Sequence, residues 1–130
     1  MEKKNKQSEP SFYVNFEKVY ARNIDSNISL LNFLRHNCKF TGTKEGCSEG
    51  DCGACSVLIF DKKGSLAPVN SCILKVGQIL NKNIVTIEGA SKLSSAKTLI
   101  EALNSKAASQ CGFCTPGFVM AALASVSYTH

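Results

Sequence analysis

The sequence predicts an α+β fold: a small sheet carrying one helix, followed by a helical segment. Three observations predict it. Short apolar runs with strand character recur between residues 12 and 87. A serine-rich stretch at residues 91–95 then interrupts the chain. Beyond it, Ala96, Leu99, Ile100 and Leu103 fall at i, i+3, i+4 and i+7, the spacing of one helix face. Strands first and helices after is the order of an α+β protein.

Length and composition bound the rest. A chain of 130 residues makes one domain or two small ones, and 44% apolar residues is ordinary for a globular protein. The net charge of +5 owes three lysines, Lys3, Lys4 and Lys6, to the first ten residues. That stretch is polar and is expected to be a disordered tail, residues 1–10. No basic cluster on a folded segment suggests nucleic acid as a partner. The chain starts without a secretory apolar core, and no run nears the roughly 18 apolar residues of a membrane span. A soluble, cytoplasmic protein without a membrane partner is expected. Seven cysteines in such a context point to metal or redox use instead of a disulfide framework.

The elements follow in order. Phe12, Val14 and Phe16 alternate with Tyr13, Asn15 and Glu17, a half-buried strand. A turn at Glu17 and Lys18 would lead to a second strand from Val19 to Ile24. Ser29 is a good N-cap, and Leu30, Phe33 and Leu34 share one helix face. His36, in the last turn, reads as a surface residue. Val57, Leu58, Ile59 and Phe60 form a continuous apolar run, as in a central strand. Asp61 to Gly64 is a turn, and Leu66 to Val69 returns beside it. Ile84, Val85, Thr86 and Ile87 are β-branched and read as another strand. After the helix at Ala96, Thr115 as N-cap and Pro116 behind it start a last helix. Its residues from Phe118 to Val126 are apolar nearly all round, so neighbours must bury it.

The chemistry lies between the first helix and the central strand. Cys47, Cys52 and Cys55 form a C-x4-C-x2-C array, and Cys72 follows after sixteen residues. A zinc site, a disulfide pair or buried thiols are the alternatives. A structural zinc site shows two C-x2-C knuckles, and here one is replaced by C-x4-C in a glycine-rich loop. The spacing is that of a plant-type 2Fe–2S cluster, in which four thiolates hold two irons. Soft thiolates suit bridged iron better than carboxylates do. Gly46, Gly50 and Gly53 would let the loop bend and bring its N–H groups toward the sulfurs.

A family resemblance rests on these residues. Leu30-Leu31-Asn32-Phe33-Leu34-Arg35, Thr41-Gly42-Thr43-Lys44-Glu45-Gly46-Cys47 and Glu49-Gly50-Asp51-Cys52-Gly53-Ala54-Cys55 resemble the N-terminal iron–sulfur region of the molybdenum hydroxylases. These are the xanthine dehydrogenases and aldehyde oxidases, and the similarity extends to the small iron–sulfur subunit of the bacterial xanthine dehydrogenases. Gln110-Cys111-Gly112-Phe113-Cys114-Thr115-Pro116-Gly117-Phe118 is similar to the family's second cluster motif. The resemblance implies a β-grasp, ferredoxin-like 2Fe–2S domain over residues 11–90 and a partial helical 2Fe–2S-binding domain over residues 91–130. It implies that Cys111 and Cys114 supply half of a second cluster, and that Gln110 approaches a molybdopterin held elsewhere.

The other half of that cluster is, in the family, a Cys-x-Cys pair further along the chain. None occurs in these 130 residues, and Cys38 is the one thiol left over. Cys38 reads as a small buried hydrophobe. The second site is therefore expected to be incomplete, as in a truncated, frameshifted or fragmentary product. Two helices of a four-helix family arrangement are present. Phe118, Met120 and Leu123 are accordingly expected to lie open, with residues 95–130 loosely packed.

The implied role is electron transfer. In the family, electrons from substrate hydroxylation at molybdenum pass through the two clusters to flavin. Molybdopterin and FAD would lie on absent domains or partner subunits. No acid–base or nucleophile arrangement in this sequence would act on substrate alone. A free ferredoxin-type carrier, docking through Glu45, Glu49 and Asp51, is the alternative. A zinc module is the third reading.

Overall fold

The computed structural model describes residues 9–64 and 66–129. Of the expected tail, residues 1–8 lie outside the described residues. A five-stranded mixed sheet is built from β1 (Ser11–Val14), β2 (Glu17–Tyr20), β3 (Ser56–Phe60), β4 (Leu66–Asn70) and β5 (Asn83–Val85). Its order is β2-β1-β5-β3-β4. β1 and β5 run parallel, and the other pairs are antiparallel. Together with the helices this is an α+β architecture.

The first hairpin turns earlier than expected. Asn15 and Phe16 form the turn, with φ of 49° and 72°. The strand therefore ends at Val14, and Phe16 is exposed. The physical reason lies across the sheet. The Asn15 side-chain amide donates to Thr86 Oγ1 at 2.8 Å, and the Thr86 N–H donates back to Asn15 Oδ1 at 2.8 Å. Asparagine tolerates the left-handed region, and this pairing holds it there. The same pairing ends β5 at Val85. Ile87, expected in the strand, instead begins the short helix α2 (Ile87–Ala90).

The helix after β2 starts as α1 (Leu30–Asn32), with Ser29 Oγ accepting the Asn32 N–H at 3.1 Å. It continues as a π-helical segment, Phe33–Asn37. Leu30, Phe33 and Leu34 meet Phe12, Val14, Val57 and Ile84 in one core. The opposite sheet face is covered as well. Leu58 and Val85 pack there with Ala96 of α3 (Ser94–Ser105) and with Val119, Met120 and Leu123 of α4 (Thr115–Thr129). Neighbouring residues along β3 and β5 thus serve different cores: Val57 and Ile84 one, Leu58 and Val85 the other. A strand buried on both faces reads as a continuous apolar run, which is why these segments do not alternate.

That packing corrects the expectation of open helices. Met120 is fully buried and Leu123 nearly so, while Phe118 is 57% exposed. The sheet's second face is itself apolar and accepts α4. Among the described residues, no helix is long and apolar enough to cross a membrane.

Candidate metal centre

Residues 38–55 connect the π-helical segment to β3 without regular structure, so side chains must hold their backbone. Arg35, at the helix end, donates through Nη1 to the carbonyls of Thr41 and Thr43, both at 2.8 Å. The Glu88 carboxylate accepts the Gly42 N–H at 3.1 Å. Asn70, the last residue of β4, donates from Nδ2 to the Gly50 carbonyl at 3.0 Å. Buried Ser71 donates from Oγ to the Cys55 carbonyl at 2.7 Å. Within the loop, the Lys44 N–H donates to the Ala54 carbonyl at 3.1 Å. Ser71 also places Cys72 beside the loop's end, closing the sixteen-residue gap in the sequence.

The loop turns its amides onto sulfur. The N–H groups of Asp51 and Cys52 donate to Cys47 Sγ at 3.2 Å, and that of Glu49 at 3.5 Å. Cys52 Sγ accepts from the N–H groups of Cys47 and Ala54, each at 3.4 Å. Such bonds favour the thiolate. Led by the Cys52 N–H, they bring the Cys47 thiol down to about 7. Gly50 and Gly53 have φ of +79° and +74°, the left-handed values that make these turns possible. Gly46 acts through space: a Cβ there would stand 2.7 Å from Cys52 Sγ.

Cys72 feels the other sulfurs. Burial pushes its thiol up, a hydrogen bond with the Cys55 thiol pushes it further, and the neighbouring charges of Cys55 and Cys47 add to this. Only the Gly50 N–H pulls it down. Cys72 therefore resists ionising beside Cys55 and Cys47, and a bound cation would remove that penalty. Among the described residues, no three His, Cys, Asp or Glu side chains surround a single point as one metal ion would need. A donor set of four thiols fits a two-iron cluster, in which four thiolates hold two irons.

The second cysteine pair sits elsewhere. Cys111 and Cys114 are exposed in the loop between α3 and α4, with Gly112 at φ +82°. The Ser109 and Thr115 hydroxyls meet at 2.7 Å across its base. Thr115, read as N-cap, is the first helical residue. Gln110 is exposed. Cys38 is half-buried against the first core, and burial pushes its thiol up to about 11. His36 is exposed. Arg35, Asn70, Ser71 and Glu88 escaped reading from the sequence as loop supports. Their partners are backbone carbonyls and amides, which leave no trace in residue spacing.

Residues 86–129 match a [2Fe-2S] binding domain family. Aldehyde oxidase 1 of Bos taurus is 41% identical over 122 residues, covering 87% of this chain and 9% of its own length. Xanthine dehydrogenase of Emericella nidulans is 40% identical over 114 residues, covering 84% of this chain and 8% of its own. The crystal structure of the aldehyde oxidoreductase from Desulfovibrio desulfuricans superposes with a TM-score of 0.76 at 32% identity, over 92% of this chain and 13% of that one. The chain thus spans less than a tenth of the length of the curated relatives it matches. It belongs to the molybdenum hydroxylase family, and it corresponds to that family's iron–sulfur region.

Proposed function

We propose that this chain is the iron–sulfur electron-transfer part of a xanthine dehydrogenase- or aldehyde oxidase-like oxidoreductase, with Cys47, Cys52, Cys55 and Cys72 holding a 2Fe–2S cluster. The observation that carries the proposal is the gathering of these four thiols in one corner, three of them accepting backbone N–H bonds. When bound, the cluster supplies one-electron transfer. The chain's own residues do the rest. Gly46, Gly50 and Gly53 leave room for the loop to close on sulfur, the amides stabilise the thiolates, and the clamps keep the four sulfurs from dispersing.

In this reading residues 11–90 form a β-grasp unit and residues 91–130 the start of a helical 2Fe–2S-binding unit. Cys111 and Cys114 are half of a second ligand set, and Gln110 faces a molybdopterin on a partner domain or subunit. Electrons arrive from the molybdenum side and leave toward FAD on another domain or subunit, in the cytoplasm. The match of residues 86–129 to a [2Fe-2S] binding domain favours this over a free ferredoxin-type carrier. Reconstitution with iron and sulfide tests it. A red-brown protein with a paramagnetic reduced state is expected, and a colourless one would overturn the reading.

A further inference from the structure

The glycine at position 117 stands in the first turn of α4, where a glycine weakens a helix and needs a reason. The reason is contact. A Cβ on Gly117 would collide with the Gly53 carbonyl oxygen and stand 3.1 Å from Ala54 Cα. Both obstacles are backbone, and neither can swing aside. The Gly53 carbonyl already accepts from the Ser56 N–H at 3.1 Å and from Ser56 Oγ at 2.7 Å. The Ala54 N–H donates to Cys52 Sγ, and its carbonyl is held by Lys44. Helix α4 therefore rests directly on the part of the loop that carries Cys52 and Cys55. A second contact lies nearby. The point where a Gly46 Cβ would stand is 2.7 Å from Cys52 Sγ and 3.6 Å from Phe113 Cε1. Phe113, between Cys111 and Cys114, thus flanks the same spot as the Cys52 sulfur.

We infer that Gly117 is a positioning residue: its missing side chain seats the second cysteine loop on the first, and so holds Phe113 against the Cys52 side of the cluster loop. The inference deepens the proposed function and rests on its ligand reading. The two thiol sites are then one mechanical unit. Any side chain at 117 must lift α4 or push Gly53 and Ala54, and the sulfur-directed amide of Ala54 moves with them. Since hydrogen bonds to sulfur and solvent exposure set a cluster's potential, a displacement at 117 is read at the metal.

The test uses the full chain, with Gly117→Ala, Gly117→Val, Phe113→Ala and Phe113→Leu. Hydrogen exchange of the metal-free chain reads docking alone. Amides of residues 42–56 are expected to exchange about tenfold faster in the Gly117 variants while those of β1 and β5 keep wild-type rates. On reconstituted protein, redox titration followed by paramagnetic resonance should show a shifted midpoint in Gly117→Ala and Phe113→Ala, with Phe113→Leu returning toward wild type. Wild-type exchange and wild-type potential in both Gly117 variants would overturn the inference. Should Gly117→Val fail to fold, Gly117→Ala and the Phe113 pair still decide it. A wild-type chain that stays colourless would instead end the ligand reading, and the exchange arm would still decide whether the loops are docked.

Discussion

The two cysteine loops of this molecule share a C-x2-C spacing and little else. The first, residues 41–55, is held from outside by Arg35, Asn70, Ser71 and Glu88, and its N–H groups turn onto the sulfurs of Cys47, Cys52 and Cys72. The second, residues 109–114, has one hydroxyl pair at its base and two exposed thiols. Ordering a loop costs about 1–2 kcal/mol per residue in backbone entropy, and the first loop offsets part of this with fixed partners. The comparison teaches that one cysteine spacing can sit in two very different backbone settings.

The largest effect that could break the comparison is at the thiols themselves. Cys47→Ser, Cys52→Ser, Cys55→Ser and Cys72→Ser should each abolish the visible absorption of the reconstituted chain, whereas Cys111→Ser, Cys114→Ser and Cys38→Ser should leave it. Iron analysis should give about two atoms per chain. Colour that depends on Cys111, or iron near about four per chain, would put the two loops on an equal footing.

Next in size is the support under the second loop. Met120→Ala removes a fully buried side chain between α4 and the sheet, and should cost about 2–5 kcal/mol in denaturant unfolding. Phe118→Ala, at an exposed position of the same helix, should stay within about 0.5 kcal/mol. Equal losses would mean that α4 does not lie on the sheet. The first loop's clamps come third. Arg35→Met removes two charged hydrogen bonds and should lower stability by about 1.5–3 kcal/mol, and Ser71→Ala by about 1 kcal/mol. Hydrogen exchange should localise the Arg35 effect to residues 41–43.

The smallest effect is a difference in protonation. In the metal-free chain, Cys47 ionises near pH 7 and Cys38 near pH 11, against an ordinary thiol value of 9.0. Alkylation at rising pH, mapped by mass spectrometry, should therefore mark Cys47 first and Cys38 late. The stability signs are opposite. Cys47, with its value lowered, stabilises the fold fully above about pH 9 and loses that contribution as pH falls through about 7. Cys38, with its value raised, contributes fully below about pH 9 and loses this as pH rises through about 11. Cys47 labelling no faster at pH 7 than Cys38 would mean that the loop amides do not reach the sulfur.

Much of the fold could be read residue by residue. The runs at Val57 and at Ile84, the cap at Ser29 and the helix face of Ala96, Leu99, Ile100 and Leu103 all lie where their local patterns indicate. The misreadings share one cause. Phe16 continues an apolar alternation, yet the chain turns there because Asn15 pairs with Thr86, seventy-one residues away. Ile87 continues a β-branched run, yet it opens a helix because Thr86 has already given its N–H to Asn15. Distant partners of this kind override a local period and leave no mark on it.

By itself the sequence singled out the thiols and glycines of the first loop, whose spacing is that of a plant-type 2Fe–2S cluster. It also called for a packing partner for α4, because the helix is apolar nearly all round, although Phe118 and Val126 stay exposed. Only the tertiary structure decided what buries it. The second face of β3 and β5 takes Met120 and Leu123, and Gly117 brings the helix down onto Gly53 and Ala54. Periodicity and ligand spacing are local properties of a chain. Which surface meets which depends on how remote segments return, and on whether an absent methyl leaves them room to touch.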